Sequence, residues 1–152
     1  MKQIEEYNGF RDLRIVDNFY QTSSFFPMPT TEIGTLSENG ETNLGSYSLC
    51  FPYYIAGKDY YAMVLCCRNS SNTAKNILRT GKCTINFIPD NKKYFKEAVR
   101  LGYPGETTEE KMKHTIFHLV DGKSCREHSE QYPKIVKEAF QVFECTWVRE
   151  LD

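Results

Sequence analysis

The chain reads as a mainly β domain in which antiparallel strands alternate irregularly with inserted helices. Three observations predict this class. Strand-like runs rich in Thr, Ile, Tyr and Val are joined by short turn signals, Asn39-Gly40 and Gly57-Lys58-Asp59, which suit hairpins rather than crossovers. The helical patterns do not alternate strand by strand, as a parallel sheet would require. Of the 152 residues, 40% are apolar and 14% aromatic, so one domain over residues 1–152 can bury a sizeable core without metal or disulfide staples. A barrel or an α+β sheet is the expected architecture.

Residues 1–27 form a mixed lead-in, and Pro27 and Pro29 break any regular element there. Residues 30–36 are a strand, and Ser37-Glu38-Asn39-Gly40 turns it, because Asn and Gly tolerate positive φ. The chain returns as a strand over 42–50. Residues 53–56 and 60–67 flank Gly57-Lys58-Asp59 as a second hairpin, and the unbroken apolar run 61–66 predicts a strand buried on both faces. Ser71 or Asn72 caps a helix with Ala74, Ile77 and Leu78 as its apolar stripe, stopped by Gly81. Residues 82–88 are a strand, ended by Pro89. A helix over 91–101 carries Tyr94, Phe95, Ala98, Val99 and Leu101. Thr107 and Glu110 make a capping box for a helix to about residue 119. Asp121-Gly122 is a turn, the polar stretch to Gln131 a loop, and 139–151 a long last strand.

The formal charge of −1 argues against a broad nucleic-acid surface, which needs a basic face. No apolar run reaches the length of a membrane span. The start, Met1-Lys2-Gln3-Ile4-Glu5-Glu6, is acidic where a signal peptide would be basic and then apolar, which predicts a cytoplasmic protein. The six cysteines (50, 66, 67, 83, 125 and 145) contain no C-x-x-C spacing, so they read as reduced packing residues with no metal site. His114 and His118 stand one helical turn apart, but Thr115 replaces the glutamate of the zinc-protease pattern, and a helix face without metal is the favoured reading. No nucleophile elbow, Walker A loop or dinucleotide-binding glycine pattern is present.

Two segments carry candidate binding chemistry. Arg68-Asn69-Ser70-Ser71-Asn72-Thr73 lies where a strand hands over to a helix N-terminus. Free backbone N–H groups and a partial positive charge there suit an anion, and the arginine fork matches phosphate oxygens. The same residues also satisfy the simpler reading of an ordinary N-cap. In Asn43-Leu44-Gly45-Ser46-Tyr47-Ser48-Leu49, two small residues sit among bulky strand neighbours. That permits either close approach of a flat ligand or merely crowded packing.

Taken together, the chain resembles the flavin reductase-like family, which includes flavoredoxin. The matching pieces are Pro29-Thr30-Thr31-Glu32-Ile33-Gly34-Thr35, Glu38-Asn39-Gly40-Glu41-Thr42-Asn43, Tyr47-Ser48, Cys66-Cys67-Arg68-Asn69-Ser70-Ser71, Thr73-Ala74-Lys75-Asn76-Ile77 and Cys83-Thr84-Ile85-Asn86-Phe87. Pro133-Lys134-Ile135 and Val142-Phe143-Glu144-Cys145 follow, so the resemblance covers most of residues 28–146. It implies a mainly β, FMN-binding split barrel of Greek-key type with inserted helices, acting as a homodimer. It further implies that residues 43–49 border the flavin ring, that Arg68, Asn69, Ser70, Ser71 and Thr73 hold its phosphate, and that Asn86 lies nearby. The implied function is electron transfer from NAD(P)H through FMN to a small-molecule or protein acceptor, with no catalytic side chain of its own. A non-enzymatic FMN carrier without an NAD(P)H site is the alternative. Two departures stand out. Many relatives have a basic residue where this chain has Asn72, and they usually continue into another strand where it stops at Asp152, which reads as shortening at the C-terminus.

Overall fold

The structure, a computed structural model, describes residues 6–7, 10–11, 28–53, 57, 62–128 and 131–148. The lead-in therefore lies mostly outside the described residues. Its two described pieces, β1 (Glu6–Tyr7) and β2 (Phe10–Arg11), pair antiparallel.

The centre is a four-stranded antiparallel sheet in the order β10-β7-β3-β4, built from β3 (Thr31–Leu36), β4 (Thr42–Tyr47), β7 (Lys82–Phe87) and β10 (Gln141–Thr146). Hairpin β3–β4 closes through the expected turn. Gly40 adopts φ 78°, and its N–H donates to the Ser37 carbonyl at 3.1 Å. The register sets Ile33 opposite Gly45 and Gly34 opposite Leu44, so alternate residues feed opposite faces. One face packs Ile33, Ile85, Cys83 and Cys50 with Ile77 of α1 (Asn72–Thr80). The other packs Leu44, Ile88, Phe117 and Val136 with Ala98 and Leu101 of α2 (Lys92–Gly102). The expected mainly β architecture with inserted helices is present. Among the described residues the sheet is open, with β10 and β4 as its edges.

Several boundaries differ from the sequence reading. The strand expected over 42–50 is two strands. β4 ends at Tyr47, and after Ser48-Leu49 the chain leaves the sheet to form β5 (Cys50–Tyr53), which pairs with β6 (Ala62–Leu65). Gly57 has φ 76° between them, and residues 54–56 and 58–61 lie outside the described residues. The strand read as buried on both faces is half-buried, because β6 belongs to this two-stranded ladder. The doubly buried strand is β3, which has a neighbouring strand on each side and all six residues buried.

The helix stripes are narrower than expected. Ala74 and Ile77 are buried, but Leu78 is 61% exposed, since it sits about 100° round the helix from Ile77. Likewise Ala98 and Leu101 face inward while Phe95 and Val99 face out. The helix expected to reach residue 119 is α3 (Thr108–Lys113), which does start with the Thr107–Glu110 capping box. It stops because the chain is drawn into β8 (Leu119–Val120), paired with β9 (Ile135–Val136). His114 and His118 therefore share no helix face, and His118 pairs with Glu138. The polar stretch read as loop contains α4 (Lys123–His128), whose first turn is held by Glu144 accepting from the Ser124 N–H at 3.1 Å. The last strand is six residues long, and residues 149–152 lie outside the described residues.

Candidate functional site

Strand β4 is a sheet edge, and two helices reach it from opposite faces. α1 brings its N-terminus and α2 its C-terminus. Between them lies a cleft of about 300 Å³, lined by Asn43, Gly45, Ser46 and Tyr47 of β4, Arg68, Ser70, Ser71, Asn72 and Thr73, and Leu101 to Glu106 with Lys111. Of the residues singled out in the sequence, Asn43, Gly45, Ser46, Tyr47, Arg68, Ser70, Ser71 and Thr73 come together here. Ser48, Leu49, Asn69 and Asn86 do not line it.

The α1 end is built as follows. Ser71 is the N-cap, and its Oγ accepts from the Ala74 N–H at 3.0 Å. The Ser71 N–H turns back to the Arg68 carbonyl at 2.9 Å, so the segment before the helix is a tight turn that carries Arg68 at the cleft. The amides of Asn72 and Thr73, the first two helical residues, have no intrahelical acceptor. They leave a positive end beside an arginine. Gly45 makes the approach of this end possible. A Cβ there would lie 2.7 Å from Thr73 Oγ1 and 3.1 Å from the Tyr47 ring, so the small residue in β4 serves close helix–strand packing.

The opposite wall was not visible in the sequence. Asn72 donates through Nδ2 to the Glu106 carbonyl at 3.1 Å and ties the α1 end to the loop between α2 and α3. The Asn72 side chain is thus used as a strap across the mouth. Lys111 is buried and donates through Nζ to the Leu101 carbonyl at 2.8 Å, capping the C-terminus of α2. Burial pushes its ammonium below the usual lysine range. Arg100 ion-pairs with Glu97 at 2.6 Å and also lies 3.9 Å from Glu106. Burial pushes the Glu97 carboxyl up, but bonds from Arg100, Thr115 and the Ile116 N–H outweigh it and hold it below the ordinary range.

Two buried polar groups in and behind the β4 wall stand out. Asn43 is 1% exposed. Its Oδ1 accepts from Thr108 Oγ1 at 3.2 Å, and its Nδ2 has no partner. Glu32 of β3, opposite Ser46 in register, is wholly buried. Burial pushes its carboxyl up to about 7, Glu97 adds to the effect, and the Ser46 hydrogen bond and Lys111 oppose it. Its signal in the sequence was a charged residue in the middle of a Thr/Ile/Leu strand. Asn86, by contrast, is committed to the fold. It donates to the Glu32 backbone carbonyl at 2.9 Å and accepts from the Val136 N–H at 2.9 Å. Among the described residues no group of His, Cys, Asp and Glu is placed to hold a metal, and no helix is long and apolar enough to cross a membrane.

No protein-family model and no curated protein matches the chain. Solved structures do. Flavoredoxin from Methanosarcina acetivorans is 19% identical with a TM-score of 0.64, over 100% of this chain and 67% of its own. The 2-nitrobenzoate 2-nitroreductase of Pseudomonas fluorescens is 19% identical with a TM-score of 0.66, over 88% and 60%. A flavin reductase is 13% identical with a TM-score of 0.64, over 93% and 77%. The chain thus spans roughly three fifths to three quarters of these proteins' lengths. At such identities the likeness is one of fold, and the fold is that of the flavin reductase-like proteins, the family that the sequence resembles.

Proposed function

We propose that the cleft at β4 binds FMN and that the protein passes electrons through the bound flavin, as an oxidoreductase of the flavin reductase type. The observation that carries this reading is the unpartnered Asn43 Nδ2, buried in the wall of a cleft whose other end holds Arg68 and the α1 N-terminus. A buried donor without an acceptor costs about 1–3 kcal/mol, which a ligand carbonyl or ring nitrogen would recover. A flavin offers such acceptors at its ring edge and a phosphate at its far end. About 300 Å³ is at the small end of ligand sites, enough for the polar part of such a molecule.

In this reading Asn43, Gly45, Ser46 and Tyr47 border the ring, while Ser48 and Leu49, expected there from the resemblance, follow them in the chain outside the cleft lining. Arg68, the amides of Asn72 and Thr73, and the hydroxyls of Ser70 and Thr73 hold the phosphate, with the Ser71 hydroxyl engaged as the helix cap and Asn69 outside the cleft lining. Bound FMN would supply hydride and single-electron chemistry, while the chain's residues bind, orient and shield it. NAD(P)H as donor, a split barrel assembled as a homodimer, a small-molecule or protein acceptor and a cytoplasmic setting belong to the same proposal.

Titrating the protein with FMN and following quenching of flavin fluorescence tests it. Saturable binding is expected, and Arg68→Ala should weaken it by about 1.5–3 kcal/mol through loss of a charge-assisted contact. Failure to take up FMN would end the reading, and an unchanged affinity in the variant would remove Arg68 from the site. Anaerobic addition of NADH or NADPH then separates the two forms of the function. Bleaching of the flavin band identifies a reductase, and bound flavin that stays oxidised identifies a carrier.

A further inference from the structure

Behind the cleft, Glu32 and Ser46 face each other across β3 and β4. The Ser46 Oγ lies 2.7 and 2.8 Å from the two carboxylate oxygens, and the same serine lines the cleft. Among the described residues no other side chain donates to that carboxyl. Two charged groups act on it from the packed helices, Glu97 of α2 and Lys111 of α3. Neither neutralises it by contact. Glu97 is engaged by Arg100, and Lys111 Nζ is held by the Leu101 carbonyl. Glu106 and Arg100 act on Lys111 in turn, and Asn86 touches only the backbone carbonyl of Glu32.

A serine hydroxyl has one proton and two lone pairs. Opposite an ionised Glu32, Ser46 must donate inward, and only lone pairs are left for the cleft. Opposite a protonated Glu32, Ser46 can accept a hydrogen bond from the carboxyl O–H, which frees its own hydroxyl hydrogen to point outward. The protonation state of a buried residue therefore decides whether the cleft wall offers a donor or an acceptor.

We propose that Glu32 and Ser46 form a proton-linked positioning pair, so that a ligand atom accepting a hydrogen bond from Ser46 binds with uptake of one proton at Glu32. The proton comes from solvent and ends on a Glu32 oxygen, and no electrons move in this step. A ring carbonyl or an anionic ring nitrogen is the kind of atom selected; a ligand presenting a donor at the same spot is favoured by the ionised pair instead. The raised carboxyl of Glu32 puts the exchange near neutral pH. The identity of the ligand rests on the flavin reading, whereas the coupling of the two side chains does not.

Calorimetric titration with FMN near neutral pH, in two buffers of different ionisation enthalpy, measures the proton uptake. A net uptake is expected in the native protein relative to Glu32→Gln and Ser46→Ala, with affinity falling about tenfold from about pH 6 to about pH 9 in the native protein only. The phosphate's own titration is common to all three proteins and cancels in the comparison. FMN bound without this difference would overturn the proposal. If FMN does not bind, the flavin reading fails, and the pair is still decided by carboxyl-carbon NMR of the free protein. Glu32 should titrate near neutrality and move upward in Ser46→Ala, which removes the one side-chain donor to the ionised form seen among the described residues. An unmoved midpoint would sink the coupling.

Discussion

Helices α1 and α2 lean on the same strand from opposite faces, yet they meet the cleft with opposite ends. α1 arrives N-terminus first, with Arg68 beside it and two amides that have no intrahelical acceptor. α2 arrives with its last carbonyls, and the ammonium of Lys111 is drawn in to cap one of them. Both helices are amphipathic and both are capped by a side chain, Ser71 in one and Asn91 in the other. What separates them is placement. The Asn91 cap is exposed and its helix start lies away from the cleft, so the same local chemistry makes a boundary there and a candidate anion site at α1. A cap becomes a site only when packing brings other polar groups to it.

The largest test of this contrast addresses the inward residues of the two helices. Leu101→Ala, at the α2 end of the cleft, should destabilise the protein by about 2–5 kcal/mol in urea denaturation, because the residue is 1% exposed and leaves a cavity. Leu78→Ala on α1, 61% exposed, should shift stability by no more than about 0.5 kcal/mol. Equal effects would mean that the helices are not oriented as described.

Next comes the buried carboxyl between them. The Glu32 value in the folded state lies above that of an ordinary carboxyl, so the native state holds an extra proton from about 4.5 to about 7. The contribution is fully present below the lower value and is lost as pH rises through the upper one. By that sign, Glu32→Gln should flatten the decline in stability between about pH 4 and about pH 8 by at most about 3 kcal/mol, since a tenfold difference in proton affinity is worth about 1.4 kcal/mol. Parallel urea curves for the two proteins at both ends of the range check it, and an identical slope would refute it.

A smaller effect is expected where α1 meets β4. Gly45→Ala should cost about 1–3 kcal/mol through overpacking against Thr73, and Thr73→Ser, which keeps the offending hydroxyl, should not relieve it, whereas Thr73→Ala should. The smallest concerns the strap. Asn72→Ala should lower stability by about 0.5–1 kcal/mol and raise hydrogen exchange of the Tyr103, Gly105 and Glu106 amides, because it removes the bond to the Glu106 carbonyl.

Features whose causes lie within a few residues were already set by the order of the amino acids. The Asn39-Gly40 turn, the Ser71 cap and Gly81 stop of α1, the Thr107–Glu110 box and the hairpin around Gly57 all follow from backbone preferences and neighbouring hydrogen bonds. Much of the candidate site was legible for the same reason, since Arg68 to Thr73 and Asn43 to Tyr47 each announce unusual local chemistry. Long-range packing settled the rest. The helix from Thr107 ends early because Leu119 and Val120 find a partner strand at Ile135–Val136. The wall made by Leu101 to Glu106 and Lys111 joins the cleft only because α2 crosses β4. Glu32 is unusual only because β3 is enclosed on every side, a condition set by elements distant in the chain, and burial is what turns an ordinary carboxyl into one that exchanges its proton near neutrality.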